Sequence, residues 1–79
     1  MNDILIVSDM ADLRATRHDN REKFDPMEFM FSSRDPHKLH GWVPENIYVT
    51  ERARTNMDLG MEALINLRKV QGSKICPVS

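Results

Sequence analysis

The feature that most constrains the fold is a short apolar run near the start of the chain, where residues 4–7 read Ile-Leu-Ile-Val. Three of these four residues are β-branched, which favours a strand. A strand whose side chains are apolar on both faces is expected to be buried on both faces. Such strands are typical of a parallel sheet that helices cover on both sides. The run therefore predicts an α/β protein with a buried strand at residues 4–7.

A helix is expected after this strand, and a second strand after the helix. Ser8 or Asp9 is suited to cap the helix, because a side-chain oxygen at that position can accept from unpaired backbone N–H groups. The helix would run from about Met10 toward Arg21. Pro26 disfavours helical geometry in the residue before it, and the apolar segment at residues 27–31 is the second strand candidate.

The second half of the chain predicts a third strand and a better-defined helix. Residues 47–49 read Ile-Tyr-Val, and a cap at Thr55 or Asn56 precedes apolar residues at helical spacing. Gly72 is expected to end this helix. Residues 73–79 are expected to form a tail or a short edge strand, because Pro77 excludes a central strand.

These elements predict a small three-stranded parallel sheet covered by two helices, a Rossmann-like or reduced P-loop-like α/β fold. The gaps between the strand candidates are long enough for the crossovers that parallel strands need. The sequence of 79 residues is expected to hold a single domain over residues 1–72 and a tail over residues 73–79. A core of this size is small, so association with a partner, including a second copy, fits the chain.

The charge balance limits the classes of partner. The sequence contains eleven Lys and Arg residues and twelve Asp and Glu residues, which gives a formal net charge of −1. A DNA-wrapping protein would be clearly basic and a DNA mimic clearly acidic, so nucleic acid is not the expected partner. The single cysteine forms no intrachain disulfide, and no apolar run approaches a membrane span. With no signal-peptide pattern at the start, these features predict a cytoplasmic protein that does not enter a membrane.

Polar residues follow each predicted strand. In open parallel sheets, ligands bind beyond the carboxyl ends of the strands, so these residues are expected to share one edge, here called the rim. Arginines and hydroxyl groups there could meet a phosphate or an acidic protein patch. The predicted rim contains Ser8, Asp9, Ser32, Ser33, Arg34, Thr50, Glu51, Arg52 and Arg54.

The segment at residues 39–51, Leu-His-Gly-Trp-Val-Pro-Glu-Asn-Ile-Tyr-Val-Thr-Glu, resembles the Walker B region of helicase- and terminase-like ATPases. In that family an apolar strand ends in Asp-Glu, which holds magnesium-bound water and polarises the attacking water. The order of elements, an N-terminal apolar strand followed by a helix and then this segment, also resembles that of small bacteriophage-type α/β proteins. The resemblance implies a nucleotide-type fold.

The departures from that family imply that the catalytic parts are missing. Thr50 stands where the magnesium-binding Asp would be, and Glu51 alone remains. No glycine-rich phosphate loop follows Val7. No catalytic residue and no cofactor are therefore predicted.

Three other patterns are candidates for chemical sites. Asp9 and Asp12 follow the first strand, as paired aspartates do in haloacid-dehalogenase-type phosphatases and response-regulator receivers, but their spacing favours helix capping. His37 and His40 could share a metal, yet a structural zinc site needs a second ligand pair, so no metal is predicted. Cys76 is expected to be a structural or incidental thiol, because a position beside Pro77 near the end of the sequence is a poor place for a rigid catalytic site.

Trp42, the single tryptophan, is interpreted either as a lid over a small core or as a partner-binding hot spot. The leading functional interpretation is a non-enzymatic interaction protein of bacteriophage type that docks on a larger protein. The alternative is a nucleotide- or phosphate-binding domain with at most weak hydrolase activity through Glu51. A third interpretation, single-stranded nucleic acid bound by Arg34, Arg52 and Arg54, is opposed by the neutral overall charge.

Overall fold

The computed structural model describes residues 3–33, 39 and 41–78. Along these residues the order is β1 (Asp3–Val7), α1 (Met10–Asp19), α2 (Arg21–Phe24), β2 (Glu28–Phe31), β3 (Asn46–Thr50), α3 (Glu51–Thr55), α4 (Leu59–Val70) and β4 (Lys74–Val78). The strands form one sheet in the order β2-β1-β3-β4, and every neighbouring pair is parallel. The predicted α/β class with a parallel sheet is confirmed, and the sheet has four strands where three were expected.

β1 lies in the middle of the sheet and is buried on both faces. Its side chains alternate between two apolar clusters, as the period of a strand requires. Ile4 and Ile6 join the cluster that includes Met61 and Ile65 of α4. Leu5 and Val7 join the cluster that includes Leu13 of α1 and Phe24 of α2. Helices therefore cover the sheet on both sides, which explains why residues 4–7 of β1 include no polar side chain.

The first helical segment begins as expected and ends two residues early. Asp9 is its N-cap, and the Asp9 Oδ1 atom accepts from the backbone N–H of Asp12 at 2.8 Å. The backbone of Asn20 leaves helical geometry, so the predicted single helix is divided into α1 and α2.

The predicted caps of the last helix were wrong. Thr55 is the last residue of the short helix α3, and its hydroxyl donates to the carbonyl of Glu51 at 3.0 Å. Asn56 caps the carboxyl end of α3, and its side chain donates to the carbonyl of Arg52. Asp58 is the N-cap residue of α4. The backbone N–H of Asp58 donates to the carbonyl of Ser32 at 3.1 Å, which anchors the turn between α3 and α4.

β4 occupies most of the segment for which a tail or an edge strand was expected. It pairs with β3 from Lys74 to Val78, and no other strand in the described part of the chain pairs with it. Pro77 has no N–H to donate, which an edge strand tolerates. The hydroxyl of Ser73 donates to the carbonyl of Pro44, and the N–H of Lys74 donates to the carbonyl of Glu45. These bonds fix the start of the strand against the segment that precedes β3.

A buried arginine holds the connection between β2 and β3 against α4. The Arg68 Nε atom donates to the carbonyl of Trp42 at 2.7 Å, and its guanidinium also donates to the carbonyl of Leu39. The Nη1 atom donates to the side chain of Gln71 at 2.9 Å. Arg68 is buried, so these carbonyls replace the water that its charge would otherwise bind.

We expect Arg68→Met to destabilise the fold by roughly 2–3 kcal/mol, because it leaves buried carbonyls without their charged donor. Urea unfolding followed by circular dichroism measures the loss. Arg14→Met is the matched control, since Arg14 lies exposed on α1 and its replacement should leave the unfolding midpoint nearly unchanged. Equal losses in the two variants would contradict this role of Arg68.

Candidate functional site

The strand order places a topological switch point between β1 and β3. The chain leaves β1 toward β2 on one side and leaves β3 toward β4 on the other side. In open parallel sheets, ligands bind in the crevice that this divergence opens beyond the carboxyl ends of the strands. The predicted rim is therefore at the edge of the sheet where a ligand would be expected.

The protein's own side chains bridge this switch point. The Oδ2 atom of Asp12 accepts from the hydroxyl of Thr50 at 2.5 Å and from the backbone N–H of Ser8 at 3.0 Å. Asp12 is 7% exposed and Thr50 is 4% exposed. The carboxylate thus joins the start of α1 to the end of β3. Sequence analysis assigned Asp12 to helix capping, and the bond to Thr50 is an additional role that it did not predict.

One backbone N–H group at each of the two helix starts near the rim is also occupied. At α1, Asp9 accepts from the N–H of Asp12. At α3, the Thr50 hydroxyl accepts from the N–H of Ala53 at 3.1 Å. These are the groups with which nucleotide-binding folds hold a phosphate. Here they face carboxylate and hydroxyl oxygens, and the carboxylates of Asp9 and Asp12 add negative charge that repels an anion.

The two rim arginines that the structure describes do not converge. Arg52 and Arg54 lie exposed on α3, two positions apart, and residues at that spacing point to different sides of a helix. Arg52 lines a groove with Asp12 and Asp19 of α1. Arg54 lines a different groove, of about 400 Å³, with Glu62 of α4. Arg34, the third arginine of the prediction, lies outside the described residues.

The remaining rim residues differ in their access to solvent. Ser8, Asp9 and Ser33 line an open cleft of about 380 Å³ whose apolar lining includes Phe31. Glu51 is exposed in the first turn of α3. Ser32, in contrast, is fully buried, and its hydroxyl has no hydrogen-bond partner among the described residues. The described part of the rim is thus split between separate grooves and does not form one pocket.

Trp42 acts as a lid over part of the core. Its ring is half-buried and packs against the cluster that includes Ile6 and Ile65, and its carbonyl accepts from Arg68. The alternative interpretation of Trp42, as a partner-binding hot spot, stays a prediction.

The metal and thiol candidates differ in how far the structure describes them. His37 and His40 lie outside the described residues. Over residues 3–33, 39 and 41–78, no group of three His, Cys, Asp or Glu side chains is arranged to hold a metal ion. Cys76 is a free, half-buried cysteine on β4, and its Sγ atom lies 4.0 Å from the Asn46 Oδ1 atom.

Sequence analysis missed an apolar surface on the outer side of α4. Leu59 is 81% exposed, Leu67 is 50% exposed and Val70 is 86% exposed. Ala63 is exposed between them. These four residues, here called the α4 stripe, recur at spacings of four, four and three, so they share one side of the helix. The spacing was visible in the sequence, where only the inward set of apolar residues was considered.

No protein-family model, curated protein or solved structure matches this chain significantly. None of the helices in the described part of the chain is long and apolar enough to cross a membrane.

We expect Thr50→Val to lower the free energy of unfolding by roughly 1–3 kcal/mol, because it removes both the bond to Asp12 and the cap of α3. Thr50→Ser is the matched control: it keeps the hydroxyl and should retain most of the stability. Chemical denaturation of the two variants measures the difference. A loss for Ser as large as that for Val would contradict this role of the hydroxyl, because Ser keeps the hydroxyl and Val keeps the methyl group.

Proposed function

We propose that this chain is a small, non-enzymatic interaction protein that docks on another polypeptide through the α4 stripe. The observation that carries the proposal is the exposure of Leu59, Leu67 and Val70 on one side of a single helix. Contiguous apolar side chains at a surface are a mark of protein-binding sites, since burying them against a partner removes apolar area from water. The larger protein partner expected from the sequence and a second copy of this chain are both candidates to cover the stripe.

The rim offers less support for the alternative, a nucleotide- or phosphate-binding domain. Oxygens of Asp9 and Thr50 already occupy N–H groups at the starts of α1 and α3. The exposed arginines of α3 line separate grooves. A phosphate at the switch point would also have to displace the buried bond between Asp12 and Thr50. Bacteriophage origin and cytoplasmic location stay predictions from the sequence.

A photo-crosslinking amino acid placed at Leu67 tests the proposed function in cells that produce the full chain. We expect a covalent adduct with a polypeptide, identified by mass spectrometry. The same amino acid at exposed Arg14 on α1 is the matched control and should give no specific adduct. Absence of any polypeptide adduct at Leu67 would contradict the proposal.

A thermal-shift experiment with a panel of nucleotides and inorganic phosphate tests the alternative. A ligand at 100 times its dissociation constant adds about 2.7 kcal/mol to the free energy of unfolding, so real binding would raise the melting temperature clearly. We expect no rise with any member of the panel. A rise that Thr50→Ser retains and Thr50→Val abolishes would favour a ligand site at the switch point over the α4 stripe.

A further inference from the structure

We infer that the polypeptide covering the α4 stripe is a second copy of this chain, with the two α4 helices packed antiparallel about a twofold axis. This inference rests on the proposed function, because it names the partner of the same surface. It is carried by the order of residues along the outer side of α4, which is complementary to itself when one copy is reversed.

The outer side of α4 has the pattern of a helix-pairing seam. Leu59, Ala63, Asn66 and Val70 follow one another at spacings of four, three and four, which is the spacing of the apolar positions in coiled coils. All four are exposed. The side of the helix opposite to them carries Met61 and Ile65 into the core. The seam therefore projects away from the body of the protein, where a second helix can reach it.

Charged residues flank this seam on one side. Glu62 lies in the first turn of α4 and Lys69 in the last turn, and both are exposed. They are seven residues apart, so they lie on the same side of the helix. When the second helix runs antiparallel, Glu62 of each copy faces Lys69 of the other copy. When it runs parallel in register, the two copies of this side lie on opposite sides of the seam, so Glu62 and Lys69 do not meet, and Glu62 lies beside Leu67 of the other copy.

The sizes of the side chains fit the same arrangement. A twofold axis near the middle of α4 sets Leu59 of one copy against Val70 of the other. It also sets Leu67 against the small residues Gly60 and Ala63, which leave room for a leucine side chain. Both contacts occur twice, as an isologous interface requires. A larger, unrelated partner would need no such self-complementary order of charge and size.

The length of α4 limits the strength of the pairing. A helix of 12 residues is about 18 Å long, so one helix pair is at the low end of specific interfaces. We therefore expect a reversible dimer that dissociates in the micromolar range.

Cysteine crosslinking tests the geometry. In a Cys76→Ser background, Asn66→Cys lies about one residue from the proposed axis, so the two thiols of a dimer come within reach of a disulfide. Leu59→Cys lies about six residues from the axis, which separates its two copies by about 18 Å along the helices. We expect mild oxidation to give a covalent dimer with Asn66→Cys and little with Leu59→Cys. A dimer formed as readily with Leu59→Cys, or with neither variant, would overturn the inference.

A charge swap tests the pairing independently of any crosslink. Glu62→Lys or Lys69→Glu alone should weaken the dimer roughly tenfold in sedimentation equilibrium, because two ion pairs per dimer become repulsive contacts. The double variant Glu62→Lys with Lys69→Glu should return to within about twofold of the original dissociation constant. Circular dichroism and the melting temperature confirm that each variant is folded. Single reversals without effect, or a double variant no better than the single ones, would overturn the inference.

The two proposals fail in different ways. A chain that is monomeric at every concentration, but forms an adduct with a different protein at Leu67, overturns the self-pairing and supports the proposed function. A Leu67 probe that forms no polypeptide adduct overturns both. An adduct of two copies of this chain, together with the Asn66→Cys disulfide, supports both.

Discussion

The burial of β1 on both of its faces is the constraint on which the rest of the structure depends. Four consecutive apolar side chains with no exposed area need a helix layer on each side of the sheet. The chain meets that need by sending α1 and α2 to one face and α4 to the other. The same divergence creates the switch point between β1 and β3, so the position of the candidate site follows from the burial of one strand.

The functional interpretation depends on the side chains of Asp12 and Thr50, which lie at the switch point. In a nucleotide-binding domain of this topology the crevice is open and glycine-rich, so that backbone N–H groups reach a phosphate. Here Asp12 and Thr50 close it with a buried hydrogen bond between residues 38 positions apart. Their carboxylate and hydroxyl therefore join the start of α1 to the end of β3.

The sequence was informative where a local pattern determines a local structure. The apolar runs predicted three of the strands, and Asp9 was recognised as a candidate cap because capping depends on only a few neighbouring residues. α3 was missed because Ala53 is its only buried residue, which leaves no helical period to detect. The bond between Asp12 and Thr50 depends on the adjacency of β1 and β3, and no spacing along the chain encodes strand order. The outward residues of α4 were visible in the sequence, but apolar residues at helical spacing are first assigned to a core.

The central claim is that this protein acts through the outer side of α4 and not through the rim. A dilution series of backbone amide NMR spectra tests it most directly, because each amide reports on its own surroundings. We expect concentration-dependent shifts at residues 59–70, with the amides of Ser8, Asp9 and Glu51 unchanged. Shifts confined to the rim, or an α4 that is insensitive to concentration and to every protein partner tested, would contradict it.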